Sequence, residues 1–235
     1  MKRTIEKTYC GTCLTKNKSL FNNLPSDQIL ELDSTKTCQV FKKGEIIFYE
    51  GGIPHGVYCV KYGKIKIFKT GIEGKDQIIK FAKDGDMLGY RSLLSNEKYN
   101  GTASCLEETA LCFIPKENIL KMVSENSCLA INIMKAACHE LGEASNIITN
   151  LAQKSIKERL AEVLLILQTN FGLDENKTIQ IILTREEIAS MVGTATESVI
   201  RLLSEFHKQG IIDLDGKKIK LIDLKKLSEI AKIND

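Results

Sequence analysis

The sequence has no apolar run near the roughly 18 residues of a membrane-spanning helix, so no membrane partner is expected. Its opening, MKRTIEKTYCG, lacks the apolar core of a secretory signal, and a cytoplasmic protein is expected. Net charge is also scarce: +3 over 235 residues, too little to imply nucleic acid by itself. In such a compartment the eight cysteines are expected as thiols or ligands rather than structural disulfides. With 43% hydrophobic and 27% charged residues, the chain reads as globular and long enough for two domains.

The first half carries short runs of alternating or β-branched residues cut by glycines at 44, 51, 52, 56, 63, 71, 74, 85 and 89. Strands at that spacing predict an antiparallel roll or barrel, with ALCFIP as its last strand, closed by Pro115. The period then changes. Ile131, Met134, Cys138, Leu141, Ser145 and Ile148 alternate at three and four residues, an a/d stripe. It fits either a helix packed on the sheet or, as preferred here, a homodimer seam in which Cys138 is a small apolar residue.

The last third reads LTREEIASMVGTATESVIRLLSEFHKQGIIDLDGKKIKLID. Thr184 with Glu187 and Thr194 with Glu197 each spell a T-x-x-E capping box. Gly193 lies in the connection, Gly210 follows the second helix, and Asp215-Gly216 sits in the turn of a β-ribbon. Helix, short turn, helix and ribbon make a winged helix-turn-helix, whose second helix enters a major groove of double-stranded DNA. From Lys154 to Asp235 there are 13 Lys/Arg and 13 Asp/Glu, 13 − 13 = 0, so the motif carries this reading without a basic footprint. Local positives are Arg185, Arg201, Lys208, Lys217 and Lys218.

With these blocks in this order, the chain resembles the CRP/FNR family of bacterial transcription regulators. FKKGEIIFYEG, VYCVKYGKIKIF, GDMLGYRSLL and ALCFIP are similar to the family's β-roll sensor, and IKERLAEVLLIL to its hinge and first DNA-domain helix. The resemblance implies an α+β fold: an antiparallel β-roll of the cyclic-nucleotide-binding, cupin-like type, a long dimerisation helix and a C-terminal winged helix-turn-helix. The boundaries expected are an arm over 1–26, the roll over 27–120, the dimer helix over 121–153 and the DNA-binding domain over 154–235. It also implies a non-enzymatic regulator that engages RNA polymerase.

The family's E-x-x-x-R pair falls on Glu197 and Arg201. Arginine can pair with guanine and glutamate can accept from cytosine, and four-residue spacing puts both on one helix face. Arg185, Thr194, Thr196, Ser198 and Ile200 complete the expected DNA-contacting set. Cyclic-AMP-binding members carry Gly-Glu and then Arg-Ser. Here Tyr90 follows Gly89, Asn100-Gly101 stand near the Arg-Ser position, and Arg91 is out of register, so cyclic AMP is not expected as the ligand.

The FNR branch holds a 4Fe–4S cluster with a C-x2-C-x5-C run plus a cysteine at the end of the roll. Cys10 and Cys13 match, Ser19 stands in the third position, and Cys112 matches the distant ligand. The metal set expected is therefore Cys10, Cys13 and Cys112, with Cys38 as a candidate fourth and with Lys7, Lys16 and Lys18 favouring thiolates. Cys59, Cys105 and Cys128 are read as packing residues. A dithiol switch at Cys10 and Cys13, or no role for the pair, stays open. So does a different class of function, a metal- or thiol-dependent redox protein with no DNA role. The absence of a βαβ pattern around the C-x-x-C argues against that class.

Overall fold

A computed structural model describes residues 3–4, 9–72 and 74–232. Lys7 lies outside the described residues. The chain divides into two compact units, Met1–Leu141 and Gly142–Asp235.

The first unit runs β1 (Arg3–Thr4), α1 (Ser26–Thr35), β2 (Thr37–Phe41), β3 (Ile46–Phe48), β4 (Gly56–Tyr62), β5 (Ile65–Thr70), β6 (Asp76–Ala82), β7 (Met87–Leu88), α2 (Tyr90–Leu94), β8 (Thr102–Cys105), β9 (Thr109–Pro115), α3 (Lys116–Glu125) and the start of α4 (Ser127–Gln153). The strands form two antiparallel sheets, ordered β1-β2-β9-β4-β7 and β3-β8-β5-β6. Alternation along the central strand β9 decides what each face meets. Leu111 joins Phe41, Val60, Ile65 and Ala103 in a core fed by both sheets. Ile114 points the other way, into a core shared with Ile29, Leu32, Ile119, Met122 and Leu129 of the helices. Pro115 ends β9 and caps α3, since it has no N–H to continue the ladder.

The helix α4 has 27 residues, about 40 Å of helix. Only Leu129 and Ile133 of it are buried. The stripe from Ile131 through Met134, Cys138, Leu141 and Ser145 to Ile148 is exposed throughout. The expected alternative of a helix face packed on the sheet therefore does not describe these six positions.

The second unit runs α5 (Ile156–Phe171), α6 (Arg185–Val192), α7 (Thr196–Lys208), β10 (Ile212–Asp215), β11 (Lys218–Leu221) and α8 (Leu224–Ala231). Reciprocal capping boxes start α5 at Ser155/Glu158 and α6 at Thr184/Glu187. The second box expected, Thr194/Glu197, does not form: the N-cap of α7 is Ala195, one residue later. That shift follows from Gly193, which closes α6 in the left-handed region at φ +70°, a conformation glycine adopts without a Cβ clash. The chain therefore leaves α6 with a turn long enough to take Thr194 and Ala195 before α7 begins.

Candidate functional site

The helix α7 is built by a strict division of faces. Val199, Leu202, Leu203 and Phe206, spaced at three and four residues, are buried. Glu197, Ile200 and Arg201 lie exposed on the other side, with Ile200 51% accessible. Thr194, Thr196 and Ser198 are half-buried around the helix start. Two arginines hold this geometry. Arg159 of α5, which the sequence reading passed over, donates from Nε to the Val192 carbonyl (2.8 Å) and from Nη1 to the Lys154 carbonyl (2.8 Å). It thereby satisfies carbonyls left open at helix ends. Arg185 donates from Nη2 to the Gly216 carbonyl at 2.8 Å, tying the first residue of α6 to the tip of the ribbon. Its Nη1 is buried with no hydrogen-bond partner among the described residues. Arg185, one of the expected DNA-contacting residues, thus also fixes the wing.

In the roll, Gly89 has φ +80° and starts α2. Tyr90, in place of the glutamate that meets a ribose in cyclic-AMP-binding relatives, is buried at 4% exposure. Its hydroxyl donates to Glu140 Oε1 of α4 at 2.7 Å, and Lys80 Nζ reaches the same oxygen at 2.6 Å. Burial first, then this bond and the Glu140 charge, push the Tyr90 phenol far up. Asn100 accepts from Lys69 Nζ at 3.0 Å, and Arg91 is exposed on the outer side of α2. Tyr90 and Asn100 thus each bond a side chain of the same unit.

The thiols gather on the helix-covered face of the larger sheet. Cys38, Cys112 and Cys59 stand in one row across β2, β9 and β4, each directly opposite its neighbour. Opposite residues of antiparallel strands point to the same side, so the row faces one way. Cys38 and Cys112 are joined as a disulfide. Thiols or ligands were expected here rather than a structural disulfide, and in this state neither Cys112 nor Cys38 offers a thiolate. Cys10, Cys13, Cys59, Cys105, Cys128 and Cys138 are thiols. Cys105 is buried between the sheets, as expected, whereas Cys128 is exposed and is not a packing residue.

Beside Cys59 and Cys112 of this row the arm borders a partly open cavity of about 60 Å³, lined also by Cys10, Cys13, Ser19 and Lys36 among others. Lys36, at 2% exposure, donates to Cys10 Sγ at 2.8 Å and pairs with Asp33 at 2.7 Å. Burial raises the Cys10 thiol and Lys36 opposes that, leaving it above its ordinary value. Burial also opposes the ions of the pair. Yet Asp33 is held below the usual carboxylate range and Lys36 above the usual ammonium range by their mutual contact and by Cys10. Cys13 Sγ lies 3.2 Å from Thr15 Oγ1. Ser19, in the third position of the C-x2-C run, donates to the Lys16 carbonyl (2.9 Å) and accepts from the Phe21 amide (3.3 Å). It closes a turn. Among the described residues no three His, Cys, Asp or Glu side chains converge tightly enough to hold a metal ion. The thiols instead border a space, and thiolate is the donor an iron–sulfur cluster takes. Nothing local marks Lys36, and Cys59, expected as a packing residue, packs on the helical core but also borders this cavity; only strand register and the fold of the arm bring them here.

Residues 38–126 match the cyclic nucleotide-binding domain family, and residues 158–230 match the Crp-like helix-turn-helix domain family. The transcriptional activator protein Anr of Pseudomonas aeruginosa is 27% identical over 233 residues, covering 97% of this chain and 95% of its own. The structure of FixK2 from Bradyrhizobium japonicum is 25% identical with a TM-score of 0.76, covering 86% of this chain and 100% of its own. A CRP/FNR-family transcriptional regulator from Thermus thermophilus is 26% identical with a TM-score of 0.68, covering 84% and 100%. With a cyclic-nucleotide-binding-type roll and a Crp-like helix-turn-helix in the family's order, the chain belongs to the CRP/FNR family of transcription regulators.

Proposed function

We propose that the protein acts as a homodimer that binds an inverted-repeat operator in duplex DNA. In this reading α7 lies in the major groove with Glu197 and Arg201 at base edges. Thr194, Thr196 and Ser198 meet the DNA near the start of α7, where backbone N–H groups favour phosphate. Arg185 meets it while holding the wing, and Ile200 offers an apolar contact. The observation that carries the proposal is the exposed Glu197–Ile200–Arg201 face on a helix whose other face is buried. The exposed stripe of α4 supports the dimer: Met134, Leu141 and Ile148 are 58%, 69% and 68% accessible, an apolar seam that a second copy of the chain would cover. RNA polymerase is the further partner and the cytoplasm the location.

The sensor reading is that the thiol cavity answers to oxygen or redox state. Cys10, Cys13 and Cys112 would hold an iron–sulfur cluster, which when bound supplies an oxygen-labile redox centre. The chain's own part is to anchor the arm to the sheet through Cys10 and Cys112 and to balance thiolate charge with Lys36. A thiol switch at Cys38 and Cys112 is a second reading, favoured by their disulfide. Selection from a random duplex library tests the DNA claim. Enrichment of an inverted repeat with half-site centres about 10 base pairs apart is expected; no enriched repeat would contradict it.

A further inference from the structure

The N-terminal run is one cysteine short, and Ser19, in the vacant position, uses its hydroxyl on two local backbone bonds. A fourth sulfur donor must come from elsewhere if the cavity is to be closed by thiolates. Two cysteines flank Cys112 on the sheet, Cys38 on β2 and Cys59 on β4. They are not equivalent. Cys59 borders the same cavity as Cys10, Cys13 and Cys112. It also packs against the same helical core as Cys10. Cys38 is 3% exposed and is held by Cys112.

We propose that Cys59 supplies the missing donor, so that Cys10, Cys13, Cys59 and Cys112 together hold an iron–sulfur cluster and Cys38 does not. This rests on the sensor reading above and names its ligand set. Cys112 joins once its disulfide with Cys38 is reduced. A small dithiol gives two electrons and two protons, leaves as its own cyclic disulfide, and both cysteines become thiols. Each ligating thiol then releases its proton on binding iron. Lys36, already 2.8 Å from Cys10 Sγ, places a buried positive charge beside the thiolates. The sequence spreads this set over 103 positions, from 10 to 112 counted inclusively, and strand register gathers it.

The test is anaerobic reconstitution of the full chain with iron, sulfide and excess dithiothreitol. Iron and sulfide are then assayed and the visible spectrum recorded. The unaltered protein and Cys38→Ser should each take up about four irons per chain and show broad visible absorption. Cys59→Ser and Cys59→Ala should lose most of both, while circular dichroism and the thermal transition show them folded. In the unaltered chain, reconstitution should protect Cys59 from alkylation, with the exposed Cys128 still labelled; this needs no variant. If the Cys59 variants load like the unaltered protein, or Cys59 labels equally with and without iron, the ligand assignment alone is overturned. Loss on Cys38→Ser but not on Cys59→Ala would give the role to Cys38. An unaltered protein that takes up no iron overturns the sensor reading and this assignment with it.

Discussion

The helices α4 and α7 are both amphipathic, yet they spend their apolar faces differently. The apolar face of α7, formed by Val199, Leu202, Leu203 and Phe206, is buried inside its own unit. That of α4 is buried only at Leu129 and Ile133, and its remaining apolar stripe faces outward. Most of a helix's stability comes from packing such a face. The same periodicity in sequence thus has two structural outcomes within one chain: the apolar face of α7 is buried, and the stripe of α4 is exposed.

The sharpest contrast comes from Phe206→Ala. Phe206 is fully buried, and its truncation should cost about 3–5 kcal/mol of unfolding free energy at any protein concentration. Denaturant melts of the Gly142–Asp235 unit's signal check this. Leu141→Glu should do the opposite: little change in the fold of a single chain, but association weakened by roughly 3 kcal/mol as like charges meet across the seam. Sedimentation over a concentration series reads it, and an unchanged dimer would break the comparison by showing that something else covers the stripe. Arg201→Ala should leave both fold and dimer intact while costing roughly 1–3 kcal/mol of operator affinity, concentrated at one base pair of each half-site.

Smaller effects separate the two caps. Thr184→Ala removes an observed capping box and should cost about 1 kcal/mol. Thr194→Ala removes none and should leave stability nearly unchanged. Thermal melts of the pair decide this. At the arm, Asp33 is held below its ordinary carboxylate value, so its contribution is present above about pH 4 and is lost as pH falls further. Asp33→Asn should therefore flatten the acid side of the stability curve, measured by urea melts at about pH 5 and pH 3.

The DNA-binding unit was legible because its signals are local. The Thr184–Glu187 box, Gly193, the spacing of Val199 to Phe206 and the Asp215–Lys218 turn each lie within one element or its cap. The roll was legible as a class, since glycines and alternation mark strands, but its strand order β1-β2-β9-β4-β7 was not, because pairings such as Cys38 with Cys112 span 74 residues. For the same reason the cavity was half seen. Cys10 and Cys13 announce themselves by spacing and Cys112 by resemblance. Cys59 and Lys36 carry no local mark, and Arg159 at the helix-turn-helix looks like any charged residue of an amphipathic helix.

The most direct test of sequence-specific operator binding through α7 is a binding titration of the unaltered protein and Arg201→Ala. The duplexes are the selected inverted repeat and a shuffled sequence of equal length, at one fixed salt concentration. Tight binding to the repeat, weak binding to the shuffled duplex and a roughly tenfold or greater loss for Arg201→Ala on the repeat alone are predicted. Equal affinity of the unaltered protein for both duplexes would contradict the account.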